Sequence, residues 1–173
     1  MRFVVVAVIL WASTAHGDVL GLKLGMTTAQ IKAAKPCKAP VANPAKLSLT
    51  CKGVAFAGTK MDAELWVPKT GLARVGLTTR IGATRKDAES AADAIFDKLV
   101  ADYGPLDMTG AGQLTTSAAL FDNADRTFTR FRGKLKSDSV FVAKHPPDDT
   151  MKISGKLVRD RNGYAIELSF ATP

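Results

Sequence analysis

The hydrophobic pattern begins as one unbroken run and then breaks into alternating and helical segments. Phe3 to Trp11 (FVVVAVILW) is an apolar run behind the positive Arg2, and Ala15-His16-Gly17 follows with small residues at Ala15 and Gly17. Charge, apolar run and small-residue site in that order form the pattern of a secretory signal peptide. The run is too short to span a bilayer core, which takes about 20 residues of helix. Residues 1–17 are therefore read as a signal peptide, cleaved after Gly17 or, with Ser13 three places back, after Ala15. The competing reading is a buried N-terminal strand, since FVVVAVIL is rich in β-branched residues. Export places the rest of the chain in the periplasm or outside the cell, as a soluble protein without a transmembrane segment.

From Asp18 onward the periodicity predicts an α+β fold. Thr27 and Gln30 have capping-box spacing, so a short helix starts there and ends before Pro36. Alternation places Leu47, Leu49 and Cys51 on one face of a strand over 47–57. Further strands follow over 63–67 and 72–80, joined by the turn Pro68-Lys69-Thr70-Gly71. Residues 84–103 are the clearest helix. Ala88, Ala91, Ala92, Ile95, Phe96, Leu99, Val100 and Tyr103 form its stripe, Thr84 and Asp87 suit its start, and Gly104-Pro105 stops it. Residues 106–117 are polar and rich in Gly and Thr. Strands are predicted over 126–135, 139–143, 151–159 and 164–171, the last two flanking a hairpin at Asp160-Arg161-Asn162-Gly163. The element order is α-β-β-β-α-β-β-β-β, an antiparallel sheet or sheets covered by two main helices. Residues 18–173 form a single domain, or alternatively two tandem helix-plus-sheet units over 18–82 and 83–173.

Composition changes this picture in three ways. Hydrophobic content of 46% with 23% charged residues is that of an ordinary globular chain with a real core. The net charge of +8, or +7 without Arg2, favours anionic partners. Cys37 and Cys51 are the only cysteines, and in an oxidising compartment an even pair reads as a disulfide. A redox pair or half a metal site are the alternatives, but the spacing is not C-x-x-C and no Cys/His partners lie nearby. Loss of 1–17 also removes His16 and leaves His145 alone, which rules out a histidine-rich zinc site. Paired-carboxylate chemistry needs no histidine and stays open.

The stretch Gly21 to Ile31, GLKLGMTTAQI, resembles a pattern of small exported bacterial proteins: Gly, apolar, x, Leu-Gly-Met-Ser/Thr, two residues, Glu/Gln, Val/Ile. It is similar to the SmpA/OmlA outer-membrane assembly lipoproteins and to domains like β-lactamase inhibitory protein. The helix-then-sheet order, twice over, is closer to the inhibitory protein. The resemblance implies a non-catalytic protein that works by binding another protein. The same residues also have structural roles: Gly25 permits a tight turn, Met26 fills core space and Thr27 caps the helix. Unlike the lipidated assembly family, this chain has no cysteine at the cleavage site.

The strongest candidate for binding chemistry is the row starting at Arg126. On a strand, Arg126, Phe128, Arg130, Arg132, Lys134 and Lys136 share one face, which would meet a repeating anion such as an anionic glycan or a lipid headgroup. Lys152 and Lys156 extend the patch if their strand lies nearby. The bland alternative is a solvated sheet face. Nucleic acid is the weakest partner and is not expected, since export removes the usual opportunity and no stacking platform of several aromatics accompanies the arginines. His145 with Asp148 and Asp149 is a candidate base or hard-cation site on a Pro-stiffened loop, set against a plain surface loop. Asp62 and Glu64 share a strand face as a carboxylate pair, and Trp66 is read as core or sheet-face packing. No cofactor or metal is implied. The leading expectation is an exported non-catalytic protein binder (an inhibitor, an immunity-type protein or an envelope-assembly accessory). A polyanion or lipid-headgroup module is the alternative, and a hydrolase the third.

Overall fold

Thr27 and Gln30 open the first helix as their spacing predicts. In the computed structural model, which describes residues 18–130, 137–143 and 151–173, the Gln30 N–H donates to Thr27 Oγ1 (3.3 Å). The Thr27 N–H donates back to Gln30 Oε1 at 2.8 Å. Helix α1 runs Thr28–Ala34 and ends on Lys35 in a left-handed conformation, one residue before Pro36. The Leu-Gly-Met stretch ahead of it docks on the turn at 68–71. Gly25 N–H donates to Leu72 O and Leu72 N–H to Met26 O, both at 2.7 Å. Gly71 has φ +104°, and a Cβ there would overlap the Gly25 carbonyl, so glycine is needed on steric grounds.

Three α-helices and nine strands occur among the described residues. The strands are β1 (Val41–Asn43), β2 (Ser48–Phe56), β3 (Thr59–Trp66), β4 (Arg74–Gly82), β5 (Leu106–Met108), β6 (Gly112–Leu114), β7 (Ser137–Ala143), β8 (Lys152–Asp160) and β9 (Gly163–Ala171). They form one antiparallel sheet in the order β1-β2-β3-β4-β9-β8-β7-β5-β6. Two meanders, β2–β3–β4 and β7–β8–β9, thus meet edge to edge at β4 and β9. Helix α2 (Arg85–Tyr103) packs on β4 and β9, and α3 (Ala118–Arg130) on β7 and β8.

The predicted stripe of α2 is the buried one: Ala88, Ala92, Ile95, Phe96, Leu99 and Tyr103 face the sheet. Against them stand Met61, Ala63 and Leu65 of β3, Val75 and Leu77 of β4, and Ile166, Leu168 and Phe170 of β9, all buried in one continuous core. The predicted hairpin is present, with Asp160 paired to Gly163 across Arg161-Asn162.

Three expectations are corrected. Alternation predicts a strand over 126–135, yet Ala118–Arg130 is helix, so 126–130 are helical and 131–135 lie outside the described residues. Its buried residues Leu120, Phe121 and Ala124 have helical spacing. Covering β7 and β8 outweighed the local alternation, which both periods fit. The polar stretch 106–117 contains the short strands β5 and β6, which extend the sheet beyond β7. Leu47 does not join the inward face of β2. It sits outside the strand at φ +50° with 52% of its surface exposed, and the inward residues are Leu49, Cys51, Val54 and Phe56. The alternation skips a place at a β-bulge between Cys51 and Val54, where Lys52 and Gly53 oppose Asp62. The Asp62 carboxylate holds the bulge, accepting from the Gly53 N–H at 3.2 Å and from Lys52 Nζ at 2.5 Å.

Cys37 and Cys51 form a disulfide with Cα atoms 5.7 Å apart, tying the end of α1 to the buried side of β2. No helix among the described residues is long and apolar enough to cross a membrane. The signal segment 1–17, the row residues Arg132, Lys134 and Lys136, and the loop carrying His145, Asp148 and Asp149 lie outside the described residues.

Candidate functional site

Period two along each strand sends one set of side chains to the helices and the other set away from them. Among the described residues the helices lie on the first side only, which leaves the other side of the sheet open. Register pairing sets its middle rung: Thr50 opposite Glu64, Glu64 opposite Gly76, Gly76 opposite Ser169, and Ser169 opposite Ser154. Small residues therefore occupy the centre of the sheet, and longer ones stand around them. The result is a trough of about 700 Å³ reaching from Asn43 and Lys46 at one end to Val140 at the other.

The charges in the trough are largely paired in place. Lys52 meets Asp62, and Lys156 Nζ lies 3.0 Å from Glu167. At one border, Arg80 donates two hydrogen bonds to Asp160, at 3.0 and 2.6 Å. Glu64 accepts from Ser48 Oγ at 3.2 Å. The pairing leaves Arg74, across from Trp66, with no ion-pair partner among the described residues. Trp66, 41% exposed, stands on this open face, as do the exposed Val140 and Val142. Gly76 matters most to the shape. A Cβ there would meet only Glu64 O at 3.7 Å and Leu168 O at 4.0 Å, so the floor has room for a side chain that the sequence does not supply. Gly155 is the opposite case, since a Cβ on its helix side would overlap Phe141 and Leu168.

Asp62 and Glu64, which alternation allows to share a strand face without any pattern marking them as a site, do share this face. The Lys52 ammonium hydrogen-bonded to Asp62, with help from the Gly53 N–H, holds the Asp62 carboxyl below its ordinary value against the opposing effect of burial. Asp62 therefore stays ionised at neutral pH, whereas a general acid needs a raised pKa. Among the described residues there is no group of three or more His, Cys, Asp or Glu placed to hold a metal ion.

The row from Arg126 is rearranged by the helix. At about 100° per residue, Arg126 and Arg130 remain neighbours four apart on an exposed face, while Phe128 turns away from them. The Arg159 guanidinium lies over the Phe128 ring at 4.9 Å and over the Tyr164 ring at 4.5 Å. Phe128 thus packs α3 onto the sheet through cation–π stacking. Lys152 and Lys156 project to the trough side, away from α3, so they do not extend the Arg126 face. The sequence reading missed the trough floor. Its only trace was the run of small or polar residues opposite the apolar positions of the predicted strands.

Both tyrosines of the chain are buried in the helix-covered layer. Burial, then the charges of Asp102 and Asp18, push the Tyr103 phenol up to about 12. Tyr164 is pushed up to about 12 by burial and by its hydrogen bond to the Asp125 carboxylate, partly offset by Arg159 and Arg85. A raised phenol pKa favours the neutral, folded form. The associated stability is complete below pH 10 and is lost as pH rises through about 12. A tyrosinate absorbance titration is expected to show no ionisation near pH 10 and a single late transition coincident with loss of structure. Ionisation of either phenol with a midpoint near 10 in folded protein would contradict this packing. Compared with family models, curated proteins and solved structures, the chain matches none.

Proposed function

We propose that this chain is an exported, soluble, non-catalytic protein that binds a protein partner in the open trough of its sheet, as an inhibitor, an immunity-type protein or an envelope-assembly accessory. One observation carries the reading: among the described residues, the nine-stranded sheet has helices on one side and an open face on the other. That face is floored by Gly76, Ser169, Ser154 and Thr78 and edged by charged and aromatic side chains. Small residues at the centre admit an inserted segment of a partner, and the surrounding charges can fix its register. The disulfide and the leader pattern of 1–17 agree with an oxidising, exported setting. Asp62, held ionised by Lys52, gives no support to acid catalysis.

Filling the floor tests this. Gly76→Trp places an indole in the trough where a Cβ meets no close neighbour, so the fold should keep its denaturation midpoint. Wild-type protein immobilised against envelope extract is expected to capture a protein partner saturably, and Gly76→Trp is expected to lose it. Retention of that partner by the folded variant, or capture of no saturable protein, would defeat the reading.

A further inference from the structure

Charge is distributed unevenly along this chain. Residues 19–61 contain seven lysines, no arginine and no acidic residue, a charge of +7 out of +8 for the whole chain. The remaining residues therefore sum to only +1. Four of these lysines gather around the disulfide-closed segment 37–51. Lys32, Lys35 and Lys38 border one shallow hollow of about 570 Å³ beside Cys37. Lys46 lies in the 3-10 turn Pro44–Lys46 before β2. All four are exposed, and none has an ion-pair partner among the described residues.

The same segment exposes apolar side chains. Val41 is 64% exposed and Leu47 52%, the two most exposed large hydrophobics in the described structure. Leu47 is held at φ +50°, ψ +41° as the cap of the 3-10 turn, a position where glycine or asparagine is the ordinary choice. A leucine there sacrifices stability and presents its side chain to water. Non-glycine residues in this conformation concentrate at functional sites. Trp66 adjoins it: Ser48 pairs with Trp66, and the Val67 N–H donates to Leu47 O at 2.7 Å. An indole with one polar end suits a boundary between water and hydrocarbon.

We propose that the edge formed by the end of α1 and the 37–51 segment docks onto an anionic lipid surface. Lys32, Lys35, Lys38 and Lys46 would face the headgroups, and Val41 and Leu47 would enter the boundary layer. Charge complementarity selects an anionic occupant, and the exposed apolar side chains select a bilayer over a soluble polyanion. Lysine in place of arginine agrees with this, because ammonium groups attract a charged surface without the forked geometry that recognises one phosphate. Lys46 also borders the trough, whereas Lys32, Lys35, Lys38, Val41 and Leu47 do not line it, so the inference holds whether or not a protein binds there.

The test is sedimentation of the full chain with vesicles of equal parts phosphatidylglycerol and phosphatidylcholine, against phosphatidylcholine alone, over a salt series. The apolar run 3–11 would bind both vesicle types, so the readout is the ratio between them. Wild type is expected to prefer the anionic vesicles, with the preference fading as salt rises. Neutralising Lys38 and Lys46 to glutamine should lower that binding about fivefold per lysine. Leu47→Asn keeps the cap, so it should leave the denaturation midpoint unchanged or higher while weakening anionic-vesicle binding about tenfold. Equal binding to both vesicle types, or variants that bind like wild type, would overturn the proposal. So would binding to a soluble polyanion such as heparin without vesicle binding.

Discussion

Phe121→Ala is expected to destabilise the protein by about 3–5 kcal/mol, the usual range for emptying an aromatic site in a core. Phe121 is fully buried on α3 and meets the Tyr164 ring edge-on, with centroids 5.1 Å apart. The Arg85 guanidinium lies over the Phe121 ring, 5.3 Å from its centroid, while donating to Asp122 and Glu89. Those carboxylates raise the Arg85 pKa further above its already high value, so the cation stays in place when the ring is removed. Alanine would leave a cavity between α3 and the sheet and loosen the seat of Tyr164 and Arg159 together. A denaturant titration should show a lower midpoint with an unchanged slope. A loss below about 1 kcal/mol would mean that α3 is not fixed to the sheet through this ring. With total stability of about 5–15 kcal/mol for such domains, this single change takes a large fraction of it.

The second large effect concerns the disulfide. Joint replacement of Cys37 and Cys51 by alanine should lower stability by about 3 kcal/mol, as the chain-entropy model gives for a closed loop of about 15 residues. The bond holds a segment that contributes little buried surface of its own. Between Lys38 and Leu47 most residues are exposed, and β1 is a three-residue strand at the sheet edge. Without the crosslink, β1 and the 3-10 turn should exchange their amide hydrogens far faster, while β3, β4 and β9 remain protected. Equal protection of β1 in oxidised and reduced protein would show that strand pairing alone holds the edge. Because Lys38, Val41, Lys46 and Leu47 lie in this segment, the same variant should also weaken binding to anionic vesicles.

Sequence and structure agree most closely where a signal is local and chemically specific. Thr27 with Gln30, Thr84 ahead of α2 and the Asp160–Gly163 hairpin each satisfy backbone groups within a few residues, and the stripe from Ala88 to Tyr103 keeps one helical period throughout. They needed no knowledge of neighbours. The cysteines could be paired because two of them, in an oxidising compartment, leave one bond to make. The arginine row failed for the converse reason. Arg126-x-Phe128-x-Arg130 satisfies period two, but Leu120, Phe121 and Ala124 satisfy the helical period just upstream. Only the uncovered apolar face of β7 and β8 decides between them.

By itself, the sequence determined the helices that cap themselves, the hairpin, the disulfide and the uneven placement of charge, because each follows from residue type and spacing. Tertiary structure alone decided three other features. It joined β4 to β9, so that two meanders became one sheet. It put both large helices on the same side and, among the described residues, left the other side open. It also brought Gly76, Ser154 and Ser169, distant in the chain, into one rung of the trough. The reason is physical: strand order and helix placement depend on which apolar faces cover each other across long loops, and those energies are shared among distant residues.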